Sequence, residues 1–143
     1  MRIVLDANVV IAAFAARGLC ESLFEFCLAS HEILWSEPLL DEVCRNLAKK
    51  VKLPRQTVAG IERLLRESGS LLAPAEVAAD ACRDADDLHV LGLVKTGTAD
   101  YLVTGDDDLL TLEHFEECRI VTPRQFWSLM QRPQSKLAPP PYK

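Results

Sequence analysis

The chain has 143 residues, 49% of them hydrophobic and 26% charged, which fits one domain with a proper core and excludes a disordered chain. Its longest apolar run, Val9 to Ala16, is far too short to cross a bilayer, so no membrane is expected as a partner. A net charge of −5 argues on average against a nucleic-acid partner, but that average conceals segments of opposite sign.

Met1-Arg2 leads directly into Ile3-Val4-Leu5, a β-prone run in place of a signal peptide, so the cytoplasm is the expected location. Asp6 ends that strand, and Ala7 to Ala16 reads as a helix broken by Gly18. A second helix is expected over about Glu21 to Ser30, then a short strand at Ile33-Leu34-Trp35. Ser36-Glu37-Pro38 is a helix-start signal, a hydroxyl followed by an acid and a proline in the first turn, and the helix runs to about Lys50. Pro54 opens another helix ending near Gly69, with a strand at Leu71-Leu72 after it. Past Asp84-Ala85-Asp86-Asp87, an apolar helix is expected from Asp86 to about Lys95, closed by Gly97. Tyr101-Leu102-Val103 reads as a buried strand, and Gly105 turns the chain into Asp106-Asp107-Asp108. Ile120-Val121 is the last strand, and Pro123 starts a final helix to about Gln131.

Short apolar strands alternating with helices indicate an α/β fold, a central parallel sheet with helices on both faces. No internal repeat and no second boundary are visible, so residues 1–131 form a single domain. Residues 132–143 hold four prolines and are expected to be a flexible tail. In such sheets, ligands bind beyond the carboxyl ends of the strands.

Five cysteines are scattered without a zinc spacing, and three histidines lie far apart; core cysteines in a reducing compartment are the simplest reading. The acids are more informative. Asp6 and Asp106 each follow a strand, so both fall at the carboxyl edge of one sheet, although each taken singly reads equally well as a turn or helix cap. On a helix from Asp86, Asp87 heads the stripe of Val90, Leu91 and Val94, and so points toward the buried side. Asp84 can cap that helix, and Asp86 and Asp87 favour its positive end, but capping does not require an acid on the apolar meridian. A carboxylate there needs a partner, and no lysine or arginine lies in the adjoining turns of that helix. Glu42 falls away from the apolar face of Leu39, Leu40, Val43, Leu47 and Val51, which by periodicity favours a solvated surface residue, although the side it shares with Asn46 and Lys49 could equally line a groove. Grouped carboxylates repel one another unless a cation neutralises them, and oxygen-only ligation suits Mg²⁺ or Mn²⁺. Such an ion can bind a phosphodiester oxygen and lower the pKa of a bound water.

Val4-Leu5-Asp6-Ala7-Asn8-Val9, Asp84-Ala85-Asp86-Asp87, and the run from Ala99 through Thr104, Gly105, Asp106 and Asp108 to Leu110, with Ile120-Val121-Thr122-Pro123 behind it, resemble the ordered motifs of PIN domains. The resemblance covers nearly all of residues 2 to 130 and is nearest to the VapC-like group, the toxins of toxin–antitoxin pairs. It implies a single PIN-like domain and a metal-dependent ribonuclease with four acids, which fall on Asp6, Glu42, Asp87 and Asp106. Asp6 and Asp87 would be the main metal ligands, Asp106 would complete the site, and Glu42 would hold a water or a second ion. Asp84 or Asp86 stands as an alternative to Asp87, and Asp108 as a sharer of the role of Asp106. Asn8 and Thr104 would orient carboxylates or water. RNA as substrate, a cognate antitoxin and a homodimer are further implications of the family.

From Arg45 to Arg55 there are five basic residues and no acid. That strip (Arg45, Lys49, Lys50, Lys52, Arg55) would contact RNA phosphates without reading sequence, unless it is simply a solvated helix face. Trp35 and Trp127 are expected to pack rather than stack bases. Two other readings compete: a non-catalytic binding module with the same fold, and an aspartyl phosphatase using Asp6 as nucleophile. The second is weakened because Asn8 stands where such enzymes place another aspartate.

Overall fold

The computed structural model describes residues 1–131; the segment 132–143, expected to be a tail, lies outside the described residues. β1 (Arg2–Leu5) is buried over Ile3, Val4 and Leu5, as a strand covered on both faces must be. Asp6 then opens α1 (Ala7–Ala15) by accepting the Ala7 N–H, and α2 (Leu19–Ser30) follows Gly18. β2 (Glu32–Trp35) passes into α3 (Glu37–Lys49), where the Ser36 hydroxyl accepts the Leu39 N–H at 3.3 Å and Pro38 sits in the first turn. α4 (Arg55–Glu67) leads to β3 (Gly69–Leu71), two residues earlier than the apolar pair Leu71-Leu72 indicates.

A 3₁₀ turn over Ala85–Asp87 precedes α5 (Leu88–Gly97), so the regular helix starts two residues later than expected. Its cause is local: the Asp84 carboxylate accepts the Asp86 N–H at 3.0 Å, tightening the first turn. Gly97 is the last helical residue, and Thr98, at φ 46°, makes the left-handed cap instead. Gly97 is small for a different reason, since a Cβ there would run into the Leu34 and Leu72 side chains. β4 (Tyr101–Val103), α6 (Asp107–Leu110), β5 (His114–Phe115), β6 (Cys118–Val121) and α7 (Pro123–Gln131) complete the domain. β5 has no apolar run to reveal it in the sequence, and β6 begins two residues before Ile120.

The sheet order is β3-β2-β1-β4-β6-β5. Every pairing is parallel except β5 with β6, so a two-residue antiparallel edge strand is added to the expected parallel sheet. Chain order runs outward from β1 to β2 on one side and from β1 to β4 on the other. That reversal makes a crevice at the carboxyl ends of β1 and β4. The cysteines are free, with Cys27, Cys82 and Cys118 buried, as the core reading requires. Among the described residues, no helix is long and apolar enough to cross a membrane.

Candidate active site

Ser36, Asp6 and Thr104 are the buried polar residues among those described, and each directly follows a strand: β2, β1 and β4 in turn. The sheet therefore ends in a row of polar groups at its carboxyl edge. One Asp6 oxygen accepts the Ala7 N–H at 2.8 Å and the other accepts the Thr104 hydroxyl at 2.6 Å. That hydroxyl in turn accepts the Asp106 N–H at 3.0 Å, and Asp106 Oδ1 accepts the Asp108 N–H at 2.9 Å. Thr104 thus ties the two strand-end acids together. Burial pushes the Asp6 carboxyl above its ordinary value. The bonds from Thr104 and Ala7 pull it back, and the charges of Glu42 and Asp106 push it up again. Asp6 and Asp106 both do the bland work of capping a helix, and they do it at the shared edge.

Asp87 is different in kind. Its Oδ2 is enclosed and has no hydrogen-bond partner among the described residues. Its pKa is pushed up to about 8, first by desolvation, then by the adjacent Asp106 carboxyl, and then by the charges of Asp106, Asp6 and Asp84. Asp84, Asp87 and Asp108 each offer an oxygen within 4.8 Å of the other two. Both sequence alternatives for the acidic triplet, Asp106 and Asp108, therefore stand against Asp87. Asp84 is exposed and close, whereas Asp86 is exposed and gives its N–H to Asp84. Among the described residues, Arg83 is 4.0 Å from Asp108 but 88% exposed, too solvated to neutralise the cluster.

Asp84, Asp86, Asp87 and Asp106 wall a cavity of about 530 Å³ together with Asp41, Glu42 and His89, whereas Asp6 and Asp108 are not part of its lining. Periodicity put Glu42 off the apolar face of α3, and the structure sets that part of α3 on the cavity wall with the side chain partly exposed. The apolar face of α3 lies on α1, but its flank faces α5, and Glu42 stands on that flank only 34% exposed. His89, which no ligand spacing singled out, lies 3.6 Å through Nε2 from Glu42 Oε1, and its Nδ1 is enclosed without a partner among the described residues. Its only sequence signal is its position two residues after Asp87.

The structure brings Arg45 of the basic strip to the cavity rim and not the rest. α3 follows a parallel strand and runs back toward the amino edge of the sheet. Lys49 is seven residues beyond Glu42, roughly 10 Å further along the axis, and Lys50, Lys52 and Arg55 follow it; all are exposed. Asn8 is exposed and its side chain makes no hydrogen bond to the described residues. Trp35 is fully buried, and Trp127 packs edge-on to Phe26, so both aromatic side chains serve packing.

The sequence model of one family, the PIN domain, matches residues 2–108, a span that includes every acid of the cavity. No curated protein matches the sequence. Among solved structures, the VapC20 toxin of Mycobacterium tuberculosis, described as a sarcin-ricin loop cleaving toxin, aligns with a TM-score of 0.55 at 14% identity. The alignment covers 82% of this chain and 98% of that one. At such low identity the likeness demonstrates a common fold.

Proposed function

Because the chain belongs to the PIN domain family, we propose that it is a metal-dependent endoribonuclease of the cytoplasm, hydrolysing RNA phosphodiester bonds as the toxin of a toxin–antitoxin pair. A cognate antitoxin protein and a second copy of the chain are its expected partners, and residues 1–131 are the catalytic domain. The observation that carries the reading is the enclosed Oδ2 of Asp87, without a hydrogen-bond partner among the described residues, beside the carboxyls of Asp106, Asp6 and Asp84. An apolar structural role does not call for four acids at one point, and repulsion alone would disperse them.

An all-oxygen donor set fits a hard divalent cation, Mg²⁺ or Mn²⁺. Asp87 would hold it with Asp6 and Asp106, and with Asp84 or Asp108 in reach. Bound there, the ion supplies Lewis-acid polarisation of phosphate and a more acidic water. The protein's own work is orientation. Thr104 fixes the Asp6 carboxylate through one oxygen, the turn at Asp84 presents Asp87, and Glu42 beside His89 faces them from α3 and can accept a proton from water. Asp6 is 5% exposed and uses both oxygens as acceptors, which disfavours it as the nucleophile of a phosphatase.

The test is incubation of purified protein with single-stranded RNA and Mn²⁺ or Mg²⁺. Cleavage is expected, should stop on addition of EDTA, and should fall at least a hundredfold in Asp87→Asn with the fold retained by circular dichroism. Full activity in that variant would sink the site. Metal binding without cleavage would favour a binding module.

A further inference from the structure

We propose that the cleft between α7 and the β5–β6 edge holds the RNA strand as it leaves the carboxylate cavity, with Arg119 and Arg124 gripping its phosphates. This rests on the ribonuclease reading above and adds the path of the substrate to it.

The cleft has a volume of about 620 Å³, more than the carboxylate cavity, and its walls carry two arginines and His114 against one acid, Glu113. Neither guanidinium lies within 4.0 Å of a carboxylate among the described residues, and both residues are exposed. In a chain of net charge −5, with a working cavity walled by acids, a polyanionic strand needs cations elsewhere. The strip beyond Arg45 recedes from the site; in the cleft, Arg124 follows the carboxyl end of β6, while Arg119, paired with Tyr101 at the start of β4, extends the cationic wall toward the amino end.

The cleft and the carboxylate cavity share no lining residue, but α6 links them. α6 is opened by Asp106, which lines the cavity, while Leu110 at its other end lines the cleft. That is about 6 Å along the axis. The Thr104 N–H donates to the Val121 carbonyl at 2.9 Å, so the ends of β4 and β6 adjoin, and Thr122 at the cleft mouth comes next. A reciprocal pair of bonds between Thr122 and Gln125, at 2.9 and 3.0 Å, fixes the start of α7 and with it the base of Arg124. On the strand side, His114 is paired directly with Arg119, so the two side chains share a face. Guanidinium and imidazole planes can bind phosphate and stack unpaired bases, which suits a single strand. A rigid duplex has no unstacked bases to offer them.

The experiment measures binding of labelled single-stranded RNAs of about four and twelve nucleotides by fluorescence anisotropy, in EDTA to prevent turnover, across a range of salt. Wild-type protein should bind the longer RNA more tightly. Arg119→Ala/Arg124→Ala should lose at least tenfold on the longer RNA, with a salt slope flatter by about 1.4, at roughly 0.7 per single-strand phosphate contact. Arg119→Lys/Arg124→Lys should recover most of the loss. Unchanged binding in the alanine variant, or a loss seen only in Lys49→Ala/Lys50→Ala, would overturn the cleft while leaving the nuclease intact. A wild-type protein that neither binds RNA nor cleaves it with Mn²⁺ would instead remove the ribonuclease reading, and this proposal with it.

Discussion

Asp87 keeps its proton in the metal-free protein up to about pH 8, whereas the same carboxyl in an unfolded chain titrates near 3.8. Between those values the native state binds the extra proton, so stability falls as pH rises from about 4 to about 8. With the metal removed by chelation, the wild-type Tm should therefore fall between pH 5 and pH 9. Asp87→Asn cannot ionise there. It should flatten the profile and raise the Tm at pH 8 by several degrees, a gain in stability at the cost of function. Thermal melts at several pH values check this, and an Asn variant less stable than wild type at pH 8 would contradict it. Thr104 makes the complementary case. Thr104→Val keeps the shape but strips the buried Asp6 Oδ2 of its donor and the Asp106 N–H of its acceptor. A loss of about 1–3 kcal/mol is expected, measured by urea unfolding, with Thr104→Ser close to wild type.

Helix starts position the acids, and these were legible to different degrees. Ser36-Glu37-Pro38 announces α3 because hydroxyl, acid and proline each satisfy a separate need of a helix N-terminus, and the structure places the cap at Ser36. Ser36→Ala should cost about 1 kcal/mol by equilibrium unfolding, and more if the buried edge cannot admit water to the Leu39 N–H. The strand-end acids Asp6 and Asp106 were legible for a similar reason, since an apolar run that stops at an acid marks both the strand and its edge. Glu42 was not. Periodicity identifies the centre of a helix's apolar face, but whether the flank meets solvent depends on α5, more than forty residues later in the chain. β5 was hidden because two residues carry no pattern, and its existence depends on pairing with β6. Gly97 read as a stop, but its smallness serves contact with Leu34 and Leu72. Gly92 is comparable: a Cβ there would strike the Ala75 carbonyl, whose own residue donates its N–H to the Gly92 carbonyl at 3.0 Å. Backbone on both sides leaves little room to adjust.

For the molecule as a whole, the carboxylate cluster gathers groups that the chain keeps far apart. Asp6 follows β1, Glu42 rides on α3, Asp87 precedes α5, and Asp106 follows β4, one hundred positions after Asp6. The unfolded chain cannot present them together, so a cation that binds the native cluster is linked to folding of the entire domain. At a free concentration a hundredfold above Kd, that linkage contributes about 2.7 kcal/mol. For a domain of this size each kcal/mol moves the Tm by roughly 3–5 °C. Mn²⁺ should therefore raise the Tm by about 10 °C, and EDTA should reverse it. A net charge of −5 supplies a competing cause, since any salt relieves self-repulsion in an acidic protein. The two causes separate cleanly. Screening acts equally on wild type and on Asp87→Asn, and KCl at matched ionic strength reproduces it. Site binding is absent from the variant and is not mimicked by K⁺. An equal rise with Mn²⁺ in both proteins would mean that the cluster, however close its oxygens, does not act as a metal site.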